Sequence, residues 1–254
     1  MAVDTANATD LEAMKKSSRW LAIIGVTFLC LSASQLNTAS RADAAMSRAC
    51  RNGYVSISFD DGPTALTPDL LKALRRNDIT ATFFTLGRQA ELFPQHLKAE
   101  RAAGHEIANH SYDHPNFQAI GDDAALAQLA KTQNILRSGR DRPDFYRPPY
   151  GATTPELAKR AKAQLGLTEV IWTVDTNDWD GRPAADIVET VATAKAGDFI
   201  LMHDGYPNTI AAISKIADGL ERRGLCDGRI VRSATPTDAW MDLFFNATVK
   251  AWSR

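Results

Sequence analysis

The chain has 254 residues, 44% of them hydrophobic and 23% charged, and a formal net charge of −1. That length and apolar share suit one globular domain with a sizeable core. The near-neutral balance, without runs of like charge or low-complexity tracts, gives no electrostatic basis for binding nucleic acid or an anionic membrane surface.

The first segment reads as an address. Lys15, Lys16 and Arg19 precede an apolar stretch from Trp20 to Ala33, and the small-residue site Ala42-Asp43-Ala44 follows. This is the order of a secretory signal. The apolar run is shorter than the roughly 20 residues that a membrane span needs. Residues 1–44 are therefore expected to be a signal peptide. The leader is long and carries Asp4, Asp10 and Glu12, so an uncleaved N-terminal anchor is the alternative and the one expected route to a membrane. Either way the protein is expected to be secreted, or to lie at the cell surface or in the periplasm. Cys30 follows Phe28-Leu29 and lacks the small residue that precedes a lipid-attachment cysteine.

Cleavage after Ala44 leaves Cys50 and Cys226. Export permits a disulfide between them, which would staple the first and last elements of the patterned region; two buried thiols are the alternative. Neither cysteine has a neighbour at metal-ligand spacing.

Within residues 45–232 strands and helices alternate. Val55 to Phe59 is a short apolar strand ending at Asp-Asp-Gly-Pro. Thr67 is expected to cap a helix with Pro68 in its first turn and Leu70, Leu71 and Leu74 on one face. Thr80 to Leu86 reads as a strand, Pro94 to Ala103 as a helix closed by Gly104, and Glu106 to Ala108 as a short strand. Asp122 to Arg137 is amphipathic, with Leu126, Leu129 and Leu136 at helical spacing. A short strand surrounds Phe145, a helix spans Thr154 to Gln164, and a strand spans Glu169 to Val174. Helix Asp186 to Lys195, strand Phe199 to Met202, helix Thr209 to Arg223 and a weak strand Arg229 to Val231 complete the series. Residues 233–254 form a C-terminal extension in which Trp240, Leu243, Phe244 and Phe245 predict a helix over Asp238 to Trp252. Asn246-Ala247-Thr248 is a glycosylation sequon, meaningful in a eukaryotic host.

Repeated strand–helix units imply an α/β fold with a parallel sheet. Six or seven units suit a distorted (β/α) barrel of about seven parallel strands; a doubly wound open sheet is the alternative. Reactive residues of such barrels lie at the C-terminal ends of strands. Polar groups follow five predicted strands: Asp60 and Asp61; His110 and His114; Arg147 and Tyr150; Asp175, Asp178 and Trp179; His203 and Asp204. His110 and His114 are four apart, so one helical turn would align them, and with a carboxylate they suit a divalent metal. Zinc fits such ligands, as do cobalt or nickel. Adjacent carboxylates Asp60 and Asp61 repel, which favours a nearby cation and lets one bind metal while the other handles a proton. A solvated Asp-Gly-Pro turn is the bland alternative. Residue chemistry alone leaves open whether Asp175 or Asp178 partners His203.

Five ordered segments then resemble the polysaccharide deacetylases, the NodB homology domain of carbohydrate esterase family 4. They are Ser58-Phe59-Asp60-Asp61-Gly62-Pro63, His110-Ser111-Tyr112-Asp113-His114, Arg147-Pro148-Pro149-Tyr150, Asp175-Thr176-Asn177-Asp178-Trp179 and Leu201-Met202-His203. Ser58 stands where Thr is commoner. The resemblance covers roughly Gly53 to Leu225 and implies a distorted barrel and a set of roles. Asp61, His110 and His114 would hold the metal. Asp60 would be the base, oriented by Arg147, and the Tyr150 backbone N–H would face the oxyanion. His203 would be the acid, tuned by Asp178, and Trp179 and Leu201 would line the acetyl pocket.

The implied activity is hydrolysis of O- or N-acetyl groups on a polysaccharide or oligosaccharide by activated water. Ala49-Cys50, Gly166 to Trp172, His203 to Thr209 and Arg223 to Cys226 look most like secreted acetylxylan esterases. Chitin, chitooligosaccharide or peptidoglycan N-deacetylation is the alternative. A non-catalytic carbohydrate-binding protein on the same scaffold would be expected to lack a ligand, the base or the acid, and none is missing.

Overall fold

In the computed structural model, residues 50–137, 142–233 and 247–252 are described; the expected signal or anchor lies outside them. The organising element is β1, Tyr54–Asp60. Its alternation sends Val55, Ile57 and Phe59 into a core shared with surrounding helices, while Ser56, Ser58 and Asp60 take the other face. Each further strand adds in parallel. These are β2 (Thr82–Thr85), β3 (Glu106–Asn109), β4 (Phe145–Tyr146), β5 (Thr168–Glu169), β6 (Val174–Asp175) and β7 (Phe199–His203). The order β5-β4-β3-β2-β1-β7-β6 curls these seven parallel strands into a half-barrel. A short β8, Cys226–Asp227, joins the start of β1 through Tyr54 opposite Cys226.

The helices pack outside. Helix α1 (Thr67–Arg76) buries Leu70 and Leu74, one turn apart. Next come α2 (Gly87–Leu92), α3 (Pro94–Ala102) and α4 (Phe117–Ile120). Helix α5 (Asp122–Leu136) buries Leu126, Leu129 and Leu136 and starts with Asp122 and Asp123, charges that suit a helix N-terminus. Helices α6 (Pro155–Arg160), α7 (Ala184–Val191) and α8 (Pro207–Arg222) follow. The inner face of the sheet carries Phe84, Ala108, Phe145 and Phe199, and Val170 from the turn after β5 and Ile230 from a later strand pack against them. A doubly wound sheet would have helices on both faces, so the barrel expectation holds.

The Cys50–Cys226 disulfide is formed, and it ties the residues before β1 to β8.

Several expected elements differ. Thr67 is the first residue of α1 rather than its cap; Leu66 holds the cap position, and the Thr67 hydroxyl accepts from Thr64 N at 2.7 Å and donates to Asp204. The single strand expected over Glu169 to Val174 is two, because β5 pairs with β4 and β6 with β7, at opposite edges of the sheet. Residues 161–165 close the sixth helix as a π-turn ended by left-handed Gly166. Helices α2 and α4 have six and four residues, too short to show a period. The expected C-terminal helix is corrected at its end: Ala247–Lys250 is a strand, β10, antiparallel to β9 (Arg229–Arg232), with Val249 opposite Ile230. Ala247 and Val249 pack on the inner cluster, and that period-2 burial favours a strand. Residues 238–246 lie outside the described residues.

Candidate active site

All five expected groups reach the C-terminal end of the sheet. Asp60 ends β1, and the chain turns at Asp61 with φ 73°. That turn brings both carboxylates to the same end. Gly62 is required next, since a Cβ there would stand 2.6 Å from Asp204 Oδ2. Asp60 is buried, and Arg147 Nη1 donates to its Oδ1 at 2.6 Å. The Arg147 side chain is fully buried. Its Nη1 also donates to Ser58 Oγ (2.9 Å), its Nε donates to Val170 O (3.3 Å), and its guanidinium lies 3.9 Å above the Phe84 ring. Burial raises the Asp60 carboxyl above its ordinary value, with Arg147 pulling against that rise. The result is a desolvated carboxylate, more basic than usual and locked in orientation.

Asp61, His110 and His114 converge, with one ligand atom from each lying within 4.8 Å of the others. His110 Nε2 and His114 Nε2 stand 3.6 and 3.5 Å from Asp61 Oδ1. His110 Nδ1 meets the Arg147 carbonyl at 2.8 Å. A carbonyl only accepts, so Nδ1 carries the proton and the Nε2 lone pair faces Asp61. Burial pushes the His110 pKa down to about 3, which keeps the ring neutral. Asp61 Oδ1 is buried without a hydrogen-bond partner. A lone pair opposed to an unpartnered carboxylate oxygen is repulsive unless a cation lies between them, so this donor set fits a divalent metal. The two histidines are not aligned by a helical turn. They sit on a loop in which Ser111 (φ 71°) and His114 (φ 65°) are left-handed.

On β7, His203 Nδ1 lies 2.8 Å from Asp178 Oδ1. Asp178 Oδ2 accepts from His203 N (2.8 Å) and the Thr209 hydroxyl (2.5 Å). Burial disfavours the Asp178 carboxylate, but hydrogen bonds from His203 and Thr209 outweigh it and hold the pKa down. Burial also works to lower His203, yet the Asp178 bond and the charges of Asp60, Asp178 and Asp61 raise it above its ordinary value. Asp178 is thus the partner of His203. Asp175 Oδ1 instead accepts from Asn177 N at 2.9 Å, and Asp204 binds the α1 hydroxyl of Thr67 and that of Thr64.

A pocket of about 400 Å³ gathers Asp60, Asp61, both histidines, His203, Tyr150, Trp179 and Leu201. Tyr150, at φ 60° and 66% exposed, sets its ring edge-on to His114 at 4.5 Å. Leu201 is buried, and Trp179 is exposed at the rim. Of the six non-glycine residues with positive φ among those described, five (Asp61, Ser111, His114, Tyr150 and Asn177) belong to this site, so backbone strain is concentrated where the chemistry is. Trp172 and Tyr206 also line the pocket and were not singled out from the sequence. Trp172 lay inside a run read as strand, and Tyr206 just past the last motif. Asn109 Oδ1 accepts from Ser111 N at 3.0 Å.

This geometry defines a barrel hydrolase site with a candidate metal triad and two carboxylate-linked basic groups, the buried Arg147 and the half-buried His203. A family model described as polysaccharide deacetylase matches residues 48–170. The chitooligosaccharide deacetylase of Bradyrhizobium sp. is 36% identical over 190 residues, covering 67% of this chain and 85% of that protein. The chain belongs to the polysaccharide deacetylase family. It is also 41% identical over 182 residues to the bifunctional xylanase/xylan deacetylase of Cellvibrio japonicus, covering 70% of this chain but 27% of that protein. A family 4 carbohydrate esterase from Streptomyces lividans, solved in complex with acetate, superposes with a TM-score of 0.68 at 43% identity, covering 71% of this chain and 94% of that one.

Proposed function

We propose that this protein hydrolyses acetyl groups from a polysaccharide with the aid of a divalent metal, and that acetylxylan is its substrate. One observation carries the catalytic reading: Asp60 held by Arg147 and His203 held by Asp178 share one pocket with the Asp61, His110 and His114 triad. When bound to that triad, a divalent ion, zinc in our reading with cobalt or nickel as substitutes, supplies Lewis acidity toward water and an acetyl carbonyl. Asp60 accepts a proton from the attacking water as its oxygen bonds to the carbonyl carbon. The Tyr150 backbone N–H donates to the developing oxyanion. Protonated His203, its Nδ1 committed to Asp178, donates from Nε2 to the departing sugar oxygen or nitrogen, and acetate is released. Trp179 and Leu201 flank the acetyl methyl.

The acetylxylan assignment is supported by the likeness to the xylanase/xylan deacetylase of Cellvibrio. N-deacetylation of chitooligosaccharide is the second reading, supported by the Bradyrhizobium relative. Acetate release from acetylxylan, chitooligosaccharides and peptidoglycan fragments, with added zinc or cobalt, ranks the three. Asp60→Asn is expected to lower the rate by about 10²–10⁴-fold, and exhaustive chelation to abolish it. Full activity after chelation, or in the Asn variant, would sink the mechanism. We also propose export, supported by the Cys50–Cys226 disulfide. N-terminal sequencing of protein recovered outside the cytoplasm tests cleavage after Ala44 against retention of an anchor.

A further inference from the structure

The loop that carries His114 is strained and needs holding. Ser111 and His114 are both left-handed, and non-glycine residues in that region persist only when their surroundings over-determine them. Within the loop, His114 N donates to Ser111 Oγ at 3.1 Å. From outside, one amide oxygen takes two consecutive backbone donors: Gln128 Oε1 of α5 accepts from Tyr112 N at 2.9 Å and from Asp113 N at 3.3 Å. The rest of the loop is tied by backbone or from the core. Gly87 N and Arg88 N at the start of α2 donate to the Ser111 and Tyr112 carbonyls, each at 3.0 Å. Asn109 Nδ2 donates to Leu129 O at 2.9 Å. Lys131 lies 3.1 Å above the Tyr112 ring.

We propose that Gln128 is a positioning residue for the metal site, fixing the Tyr112–Asp113 backbone so that His114 is held ready to meet Asp61. The inference rests on the reading of Asp61, His110 and His114 as metal ligands. The two peptide N–H groups it satisfies immediately precede His114. Losing their acceptor frees the loop to leave the left-handed conformation, and the imidazole that stands 3.5 Å from Asp61 moves with it. Gln128 is half-buried on the face of α5 toward the loop, so replacing it does not empty the core.

The test uses the full chain, stripped of metal, with zinc and cobalt affinities measured by competition against a chromophoric chelator. The metal-free melting temperature is recorded alongside. Gln128→Met keeps volume and helix propensity but removes the acceptor, and is expected to weaken metal affinity about ten-fold with a metal-free melting temperature close to wild type. Gln128→Glu keeps a carboxylate oxygen for both N–H groups and is expected to restore the affinity. A Met variant that binds as tightly as wild type overturns the inference, as does a Met variant whose only change is a lower metal-free melting temperature. A wild-type chain that takes up neither ion overturns the metal-site reading and this inference with it.

Discussion

At the scale of single residues, the site is a set of ionisable groups whose burial is offset by specific partners. In the proposed mechanism Asp60 acts as base in its ionised form, and its pKa is raised by burial. The acid limb of the pH–rate profile is therefore expected above the ordinary carboxylate value of 3.8. In the same mechanism His203 acts protonated, and its pKa is raised from 6.5, so the alkaline limb is expected above that value. Asp178→Asn removes the negative charge that lifts His203 and leaves only a neutral amide oxygen to accept from Nδ1. The alkaline limb is expected to move to lower pH while the acid limb stays, and an unmoved alkaline limb would separate Asp178 from proton donation. Glu100 is a buried group the chemistry does not use. It is fully buried, both carboxyl oxygens lack a hydrogen-bond partner, and burial with the nearby Asp204 charge raises its pKa well above 4.5. The folded chain keeps this proton at pH values where the unfolded chain has released it. The fold thus binds more protons, and this group's contribution to stability falls as pH rises above 4.5. Glu100→Gln is expected to be more stable than wild type at pH 8, with the gap narrowing toward pH 4.5 in chemical denaturation.

At the scale of elements, the sequence was most legible where an element is long and patterned. Helix α5, β1, β7 and α8 lie within a few residues of their expected bounds because burial period and chain pattern coincide there. Legibility failed where tertiary pairing overrides local pattern. Val170 to Thr173 reads as strand, yet those residues cross the opening between the two sheet edges and spend a carbonyl on Arg147. The His110–His114 spacing is right for a shared ligand site but for a different reason than helical alignment: two left-handed residues turn the loop. Thr154, at the start of the expected helix, is the cap of α6, its hydroxyl accepting from Leu157 N at 3.0 Å and donating to Asp122 at 2.8 Å. Thr154→Ala is expected to cost about 1 kcal/mol, measured as a shift in the denaturant midpoint, with no change in metal affinity.

For the whole molecule, one covalent link spans the fold. The cysteines of the disulfide are 176 residues apart, a loop long enough that closing it restricts the unfolded chain strongly. The Cys50→Ser/Cys226→Ser double variant is expected to lose about 2–5 kcal/mol of stability. It is expected to keep its activity below its melting temperature, since the bridge lies by the start of β1 and the pocket at its end. Among the described residues no helix is long and apolar enough to cross a membrane.

The sequence by itself determined the class of fold and the family, and it singled out the candidate reactive residues. Strand–helix alternation forces a parallel sheet, and the reactive types recur after its strands, so five motifs name one end of one barrel. Tertiary structure alone decided what each residue faces. The choice of Asp178 over Asp175 rests on which carboxylate reaches Nδ1 of His203. The left-handed turn at Asp61 and the hold of Gln128 on the His114 loop have no mark in the linear pattern. A linear pattern records which groups are present and their local period. Direction, burial and the partner that shifts a pKa are set by segments that meet only once the sheet has closed.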